Sequence, residues 1–205
     1  MTWKLYASAR SPFVRKVLVA AHELGVADRF DRIDVNTNPM NPAPELLPVN
    51  PVGMIPVLAI DGEMIFDSFV ILEFLGEAAG NRLFPAGAAR RECLVRHAVA
   101  NAMSDKAVRI LDEKFREQND DTRVHRDGYV SSIMRGIEWS GSRVKPNRFD
   151  AGDIALATVV SYLDFRFAEI DWRSASRPLA DWYEDVAKRP SMLATPYVPP
   201  SPPPK

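Results

Sequence analysis

The sequence has a single cysteine, Cys93, among its 205 residues. That excludes an intramolecular disulfide, a Cys-x-x-Cys redox pair and a thiolate zinc cage. Thiol chemistry here must use a thiol from elsewhere. The chain also lacks any apolar run of about 18 residues. The start, Met1-Thr2-Trp3-Lys4-Leu5-Tyr6, lacks the basic segment and apolar stretch of a secretory leader, so a cytoplasmic protein with no membrane partner is expected. Net charge is missing too. The 26 Lys and Arg nearly balance the 27 Asp and Glu, leaving no field to hold a polyanion, and nucleic acid is not an expected partner. His22, His97 and His125 fall on three separate predicted helices without ligand spacing, so no metal site is expected.

What is present is an ordinary globular composition, 46% hydrophobic and 26% charged, enough for one large core or two modest ones. The first eighty residues alternate short apolar runs with helical stretches, as a sheet with crossover helices does. Trp3 to Ala7 is a strand candidate. The turn Ser8-Ala9-Arg10-Ser11-Pro12 follows, with Ser11 suited to an N-cap and Pro12 to the first helical position. A helix from about Phe13 to Leu24 places Val14, Val17, Leu18, Ala21 and Leu24 on one face, with Arg15, Lys16 and Glu23 elsewhere, and Gly25 ends it. Phe30 to Val35 reads as a second strand. The segment from Asn36 to Pro51 carries five prolines and is mostly irregular, with at most a short helix around Glu45-Leu46-Leu47.

Ile55 to Ile60 and Glu63 to Phe66 form two strands across the two-residue turn Asp61-Gly62. Asp67-Ser68 then caps a helix from Phe69 to about Ala79. The order is β-α-β-α-β-β-α, with residues 81–88 as a linker. Everything from 89 to 205 reads as helical. One long helix spans Ala89 to about Gln118, another about Val124 to Ser140. A third, the most apolar, is opened by Asp150-Ala151-Gly152-Asp153, a capping box, and a last one runs from Pro178 to Lys188. The tail from Val198 to Lys205 is proline-rich and expected to be extended.

Four motifs in sequence carry a resemblance: Ser11-Pro12-Phe13, Gly53-Met54-Ile55-Pro56-Val57, Asp67-Ser68 and Phe149-Asp150-Ala151-Gly152-Asp153. Together they resemble the cytosolic glutathione transferases over nearly the whole chain. The resemblance implies an α/β, thioredoxin-like N-terminal domain at residues 1–80 that holds glutathione, followed by an all-α helical-bundle domain at 89–205. It also implies a homodimer. Ser11-Pro12-Phe13 is similar to the Cys-Pro-Phe of omega-like members with serine in place of cysteine, which argues against disulfide exchange and for activation of the glutathione thiol.

A thiol with a pKa of about 8.5 is only a few per cent thiolate at pH 7. Lowering it by about two units takes roughly 2.7 kcal/mol, of which a hydrogen bond to the anion supplies about 1.5–3 kcal/mol and a helix N-terminus roughly 0.3–1 kcal/mol. A hydroxyl at the start of the Phe13 helix has the right chemistry for that task. A plain N-cap is the structural alternative for Ser11, and Ser8 in the same turn is the second candidate donor.

The resemblance further implies that Pro56 is cis and that the Ile55 backbone holds the cysteinyl part of glutathione. Asp67 and Ser68 would meet its γ-glutamyl end, where relatives usually carry Glu or Gln before the serine. Met54 departs from the lysine found in many relatives, so the glycyl carboxylate needs another cation or is held more weakly. A pocket for a small electrophilic co-substrate is expected around Ser8, Arg10, Asn101, Met103, Ser104 and Asp105. The Asp150/Asp153 pair reads as a folding device. Two functions compete. One is a transferase in which glutathione, bound as thiolate, attacks or adds to a small electrophile. The other is a glutathione-binding scaffold with little turnover. A glutaredoxin-like reductase needs a cysteine in the first turn, which Ser11 replaces.

Overall fold

The computed structural model describes residues 3–199, and Trp3–Ala7 opens it as strand β1. Its alternation buries Trp3, Leu5 and Ala7 and exposes Lys4, the period-two pattern of a strand whose one face is covered. Helix α1 (Pro12–Leu24) follows, with Ser11 as N-cap, Pro12 at its first position and Gly25 at φ 71° ending it. Strand β2 (Phe30–Asp34) pairs parallel to β1. Strands β3 (Val57–Ile60) and β4 (Glu63–Ile65) form a hairpin. Asp61 and Gly62 sit at φ 51° and 89°, the two left-handed residues that a tight hairpin turn requires. Strand order is β2-β1-β3-β4, with β3 antiparallel to both of its neighbours.

Residues 36–50 hold turns where a short helix was expected around Glu45 to Leu47. Prolines remove the N–H groups that helical turns need, and side chains staple the segment instead. Thr37 Oγ1 donates to Gly53 O at 3.0 Å and accepts from Ala43 N at 3.2 Å, and Asn50 Nδ2 donates to Met54 O at 2.9 Å. Leu46, fully buried with Val35, Ala43 and Val57, packs with Tyr6, Ile33 and Phe66 to cover one face of the sheet. Helices α1 and α2 (Ser68–Ala78) pack on each other, and Phe74 of α2 meets Trp3 edge-on at 5.4 Å.

The chain divides into two compact units, one containing residues up to Phe84 together with the segment from Pro190 onward, the other Pro85–Arg189. The second consists of α3 (Gly87–Glu113), α4 (Asp120–Gly141), α5 (Ala151–Arg166), α6 (Trp172–Ala175) and α7 (Arg177–Val186). Helix α5 is buried at every position from Ala151 to Leu163, as its apolar sequence requires. The break at Asn119 is an N-cap, paired with Thr122 in a capping box, so α4 starts earlier than the expected Val124.

A helical domain running through to the end of the chain was expected, but α8 (Pro190–Leu193) packs on α1. Arg15 Nη2 donates to Met192 O at 3.1 Å, its guanidinium lies over Tyr197 at 4.5 Å, and Ser191 donates to Glu23. Arg15, under these contacts, and Lys16, both expected off the apolar face of α1, are buried. Residues 200–205 of the proline-rich tail lie outside the described residues.

Candidate functional site

Strand directions bring three of the sequence motifs to one end of the sheet. Tyr6 pairs with Val57 and Leu58 with Ile65, so the turn after β1, the residues before β3 and the residues after β4 all emerge together. Ser8 to Ser11, Ile55-Pro56 and Asp67-Ser68 are those residues. The Ile55–Pro56 peptide is cis, and Ile55 precedes the first ladder residue of β3.

Ser11 Oγ accepts from Val14 N at 3.3 Å, and its own N–H donates to Ser8 O at 3.1 Å. An oxygen that accepts a capping bond still has its hydroxyl hydrogen to give. Capping α1 and donating to a ligand anion are therefore compatible uses of this side chain, not alternatives. Ser8 Oγ accepts from Arg10 N at 3.4 Å, and Arg10 Nη2 donates to Asn36 Oδ1 at 3.0 Å. Phe13 is half-buried on the first turn of α1.

At the start of α2, Asp67 Oδ1 accepts from Phe69 N at 2.9 Å and Val70 N at 3.4 Å. Ser68 is 1% exposed, and its buried hydroxyl has no hydrogen-bond partner among the described residues. Such a group is rare in a folded protein and calls for a reason. Between the two helix starts lies a residue that the sequence reading did not single out. Lys16 is buried, its Nζ 5.7 Å from the Phe13 ring centroid. Burial pushes its ammonium down to about 7, while the Asp67 carboxylate pulls it back up. One signal was available in sequence: a cation one helical turn beyond Pro12.

The four α3 residues expected at the electrophile pocket belong to the second unit. Met103 is buried with its thioether packed directly against Gly136, so that a Cβ there would have to push it aside. Ser104 Oγ donates to Ala100 O at 3.1 Å, Asp105 pairs with Arg109 at 2.9 Å in solvent, and Asn101 is half-buried.

The Asp150/Asp153 box forms as expected, and it carries more than two caps. Asp153 accepts from Arg96 and from Arg148 Nε at 2.8 Å, and Asp150 accepts from Arg96 Nη2 at 2.6 Å. Cys93 lies beside this network. Burial and the Asp150 charge push its thiol up to about 12, which leaves it protonated and inert.

A four-stranded mixed sheet with a cis-proline before β3, followed by a helical unit, defines a thioredoxin-like domain joined to an all-helical one. Residues 10–78 match the N-terminal domain of glutathione S-transferase and residues 123–185 its C-terminal domain. A glutathione transferase family member from Pseudomonas fluorescens Pf-5, solved with bound glutathione, is 33% identical. It superposes with a TM-score of 0.88, over 98% of this chain and 100% of that one. An uncharacterized GST-like protein, YibF, from Escherichia coli is 28% identical over 204 residues, 94% of this chain and 97% of its own. A maleylacetoacetate isomerase from Rhizobium meliloti is 40% identical over 83 residues, 40% of this chain and 38% of its own. The chain belongs to the glutathione transferase family. Among the described residues no helix is long and apolar enough to cross a membrane.

Proposed function

We infer that this protein binds glutathione at the end of the sheet where Ser11, Ile55-Pro56 and Asp67-Ser68 meet, and that it activates the thiol for reaction with a small electrophile. The observation that carries the reading is the buried Ser68 hydroxyl at the start of α2, without a partner among the described residues. A hydroxyl and backbone N–H groups at a helix N-terminus suit a carboxylate, and the γ-glutamyl end of glutathione has one beside its ammonium group. Asp67, with one carboxylate oxygen engaged in capping, offers the other to that ammonium. The Ile55 backbone, ahead of the β3 ladder, faces the cysteinyl part. Ser11 donates its hydroxyl hydrogen to the sulfur, whose proton leaves to solvent. The thiolate then forms a bond to an electrophilic carbon, either displacing a leaving group or adding to a double bond. Holding both reactants together contributes alongside the lowered thiol pKa.

One observation favours the second reading, a glutathione-binding scaffold. Met54 is 56% exposed at the position where the resemblance implies a lysine in many relatives, so the glycyl carboxylate has no cation from that side chain.

Calorimetric titration with glutathione at two pH values, in buffers of differing ionisation enthalpy, tests the reading on the wild type and Ser11→Ala. Binding with proton release near pH 7 that Ser11→Ala abolishes supports thiolate activation at Ser11. Proton release that persists in Ser11→Ala moves the role away from Ser11, binding that releases no proton removes thiolate activation, and saturable binding without turnover of any electrophile favours the scaffold. The homodimer that the resemblance implies is checked by sedimentation.

A further inference from the structure

One face of α1, bearing Arg15, Leu18 and His22, borders a cavity of about 230 Å³. Its other walls are the Ser8-Ala9 turn, Phe30 and Arg32 of β2, and the segment 194–198. All of these residues lie in the first unit. Apart from Ser8, none belongs to the glutathione contacts or the electrophile pocket named above.

The lining has a definite chemical character. Leu18, Phe30 and the aliphatic side chains of the 194–198 segment make it apolar. Arg15, His22 and Arg32 bring basic nitrogens, and among the described residues none that lines the cavity carries a carboxylate. Asp34 pairs with Arg32 at 3.4 Å largely in solvent, and Glu23 of α1 is engaged by Ser191. Arg15 is 9% exposed and fixed in place by the Met192 carbonyl and the Tyr197 ring. Its side chain thus borders the cavity with little conformational freedom left to lose. In such a partly desolvated place a guanidinium favours a carboxylate over a neutral group of the same shape. The volume is below that of drug-sized pockets, which limits the ligand to a single ring or a short branched chain.

We propose that this cavity is a binding site for a small aromatic or branched aliphatic carboxylate. Its apolar body lies against Leu18, Phe30 and the 194–198 segment, and its carboxylate faces Arg15 and Arg32. Val198 N donates to Ala9 O at 3.3 Å, so an occupant touches both strands of this clasp and the turn that leads to Ser11. The site stands apart from the glutathione reading and is tested without glutathione.

Benzoate is the probe, benzamide its neutral counterpart, and ligand-observed NMR titration of the full chain the measurement. The wild type is expected to bind benzoate saturably and benzamide at least about tenfold more weakly, the share of one charge-assisted contact. Arg32→Glu keeps the cavity volume, reverses a charge at the rim, and should weaken benzoate about tenfold while leaving benzamide unchanged. Leu18→Trp fills the cavity and should abolish both. Circular dichroism checks that each variant folds, and Arg32→Glu decides alone if Leu18→Trp does not. Absence of saturable benzoate binding, equal affinity for benzamide, or binding unaltered in the folded variants would overturn the proposal. Displacement of benzoate by glutathione would overturn it too, since it would place benzoate in the other site.

Discussion

A buried hydroxyl without a hydrogen-bond partner costs a protein roughly 1–3 kcal/mol, and the Ser68 hydroxyl at the start of α2 has none among the described residues. A purely structural serine would give up that hydroxyl without loss. Ser68→Ala is therefore expected to leave the melting temperature unchanged or slightly raised, and to weaken glutathione binding at least about tenfold, read by calorimetry. Equal affinity in wild type and variant would remove Ser68 from the site. Cys93 presents the opposite case, a reactive residue type in an unreactive setting. With its thiol pushed up to about 12 by burial and by Asp150, it should take up no iodoacetamide at pH 8 while the protein is folded, and one equivalent in denaturant, as mass spectrometry would show. The single protein thiol then adds no background when glutathione consumption is followed.

At the scale of elements, the capping motifs were the most legible feature of the sequence because each acts within three or four residues. Ser11, Asp67 and Asp150 all cap the helices expected of them. What was not legible depends on contacts distant in sequence. Arg96 reaches Asp150 across 54 residues, and Arg15 reaches Met192 across 177. No periodicity announces either. The second pairing explains why a helix read as one-faced buries two faces and why the chain end returns to the first unit. The Ser11, Ile55-Pro56 and Asp67-Ser68 motifs come to one end of the sheet through the β1–β3 and β3–β4 registers, which short alternating runs already suggest.

The network around α5 yields a stability prediction. Asp153→Ala strips partners from the buried Arg96, from Arg148 and from the Asp150 N–H, and is expected to cost about 3–5 kcal/mol in urea unfolding. Asp153→Asn keeps one acceptor and should cost less. Burial disfavours the charge on Asp150, but the hydrogen bonds and charge of Arg96 outweigh it and hold that carboxyl below the usual range. A depressed carboxylate contributes stability above its unfolded value, about 3.9, and loses it as pH falls through the folded one. Acid unfolding below about pH 4 should therefore be blunted in Arg96→Met.

For the molecule as a whole, Lys16 ties stability to pH in the same direction as that carboxylate, but over a higher interval and as a relieved cost. Its ammonium has an ordinary value of 10.5 and is brought to about 7 by burial, against the pull of Asp67. Between those values the unfolded chain holds a proton that the folded chain lacks, so stability rises with pH across that interval. Below about 7 both states are protonated, and the full cost of keeping a charge buried is present. Replacing the ammonium with a thioether of similar length removes the charge and keeps the packing. Lys16→Met is expected to stabilise the fold at pH 7 by at least about 1 kcal/mol, or about 2–4 °C in melting temperature for a chain of this size. The gain should shrink steadily toward pH 10. Thermal melts of both proteins from pH 6 to 10 measure the difference directly, and a difference that does not change with pH would show that Lys16 keeps an ordinary proton. The same variant separates two sources of protons in the glutathione titration, because the buried ammonium and an activated thiol release theirs in the same pH range. Proton release that persists in Lys16→Met and vanishes in Ser11→Ala belongs to the thiol.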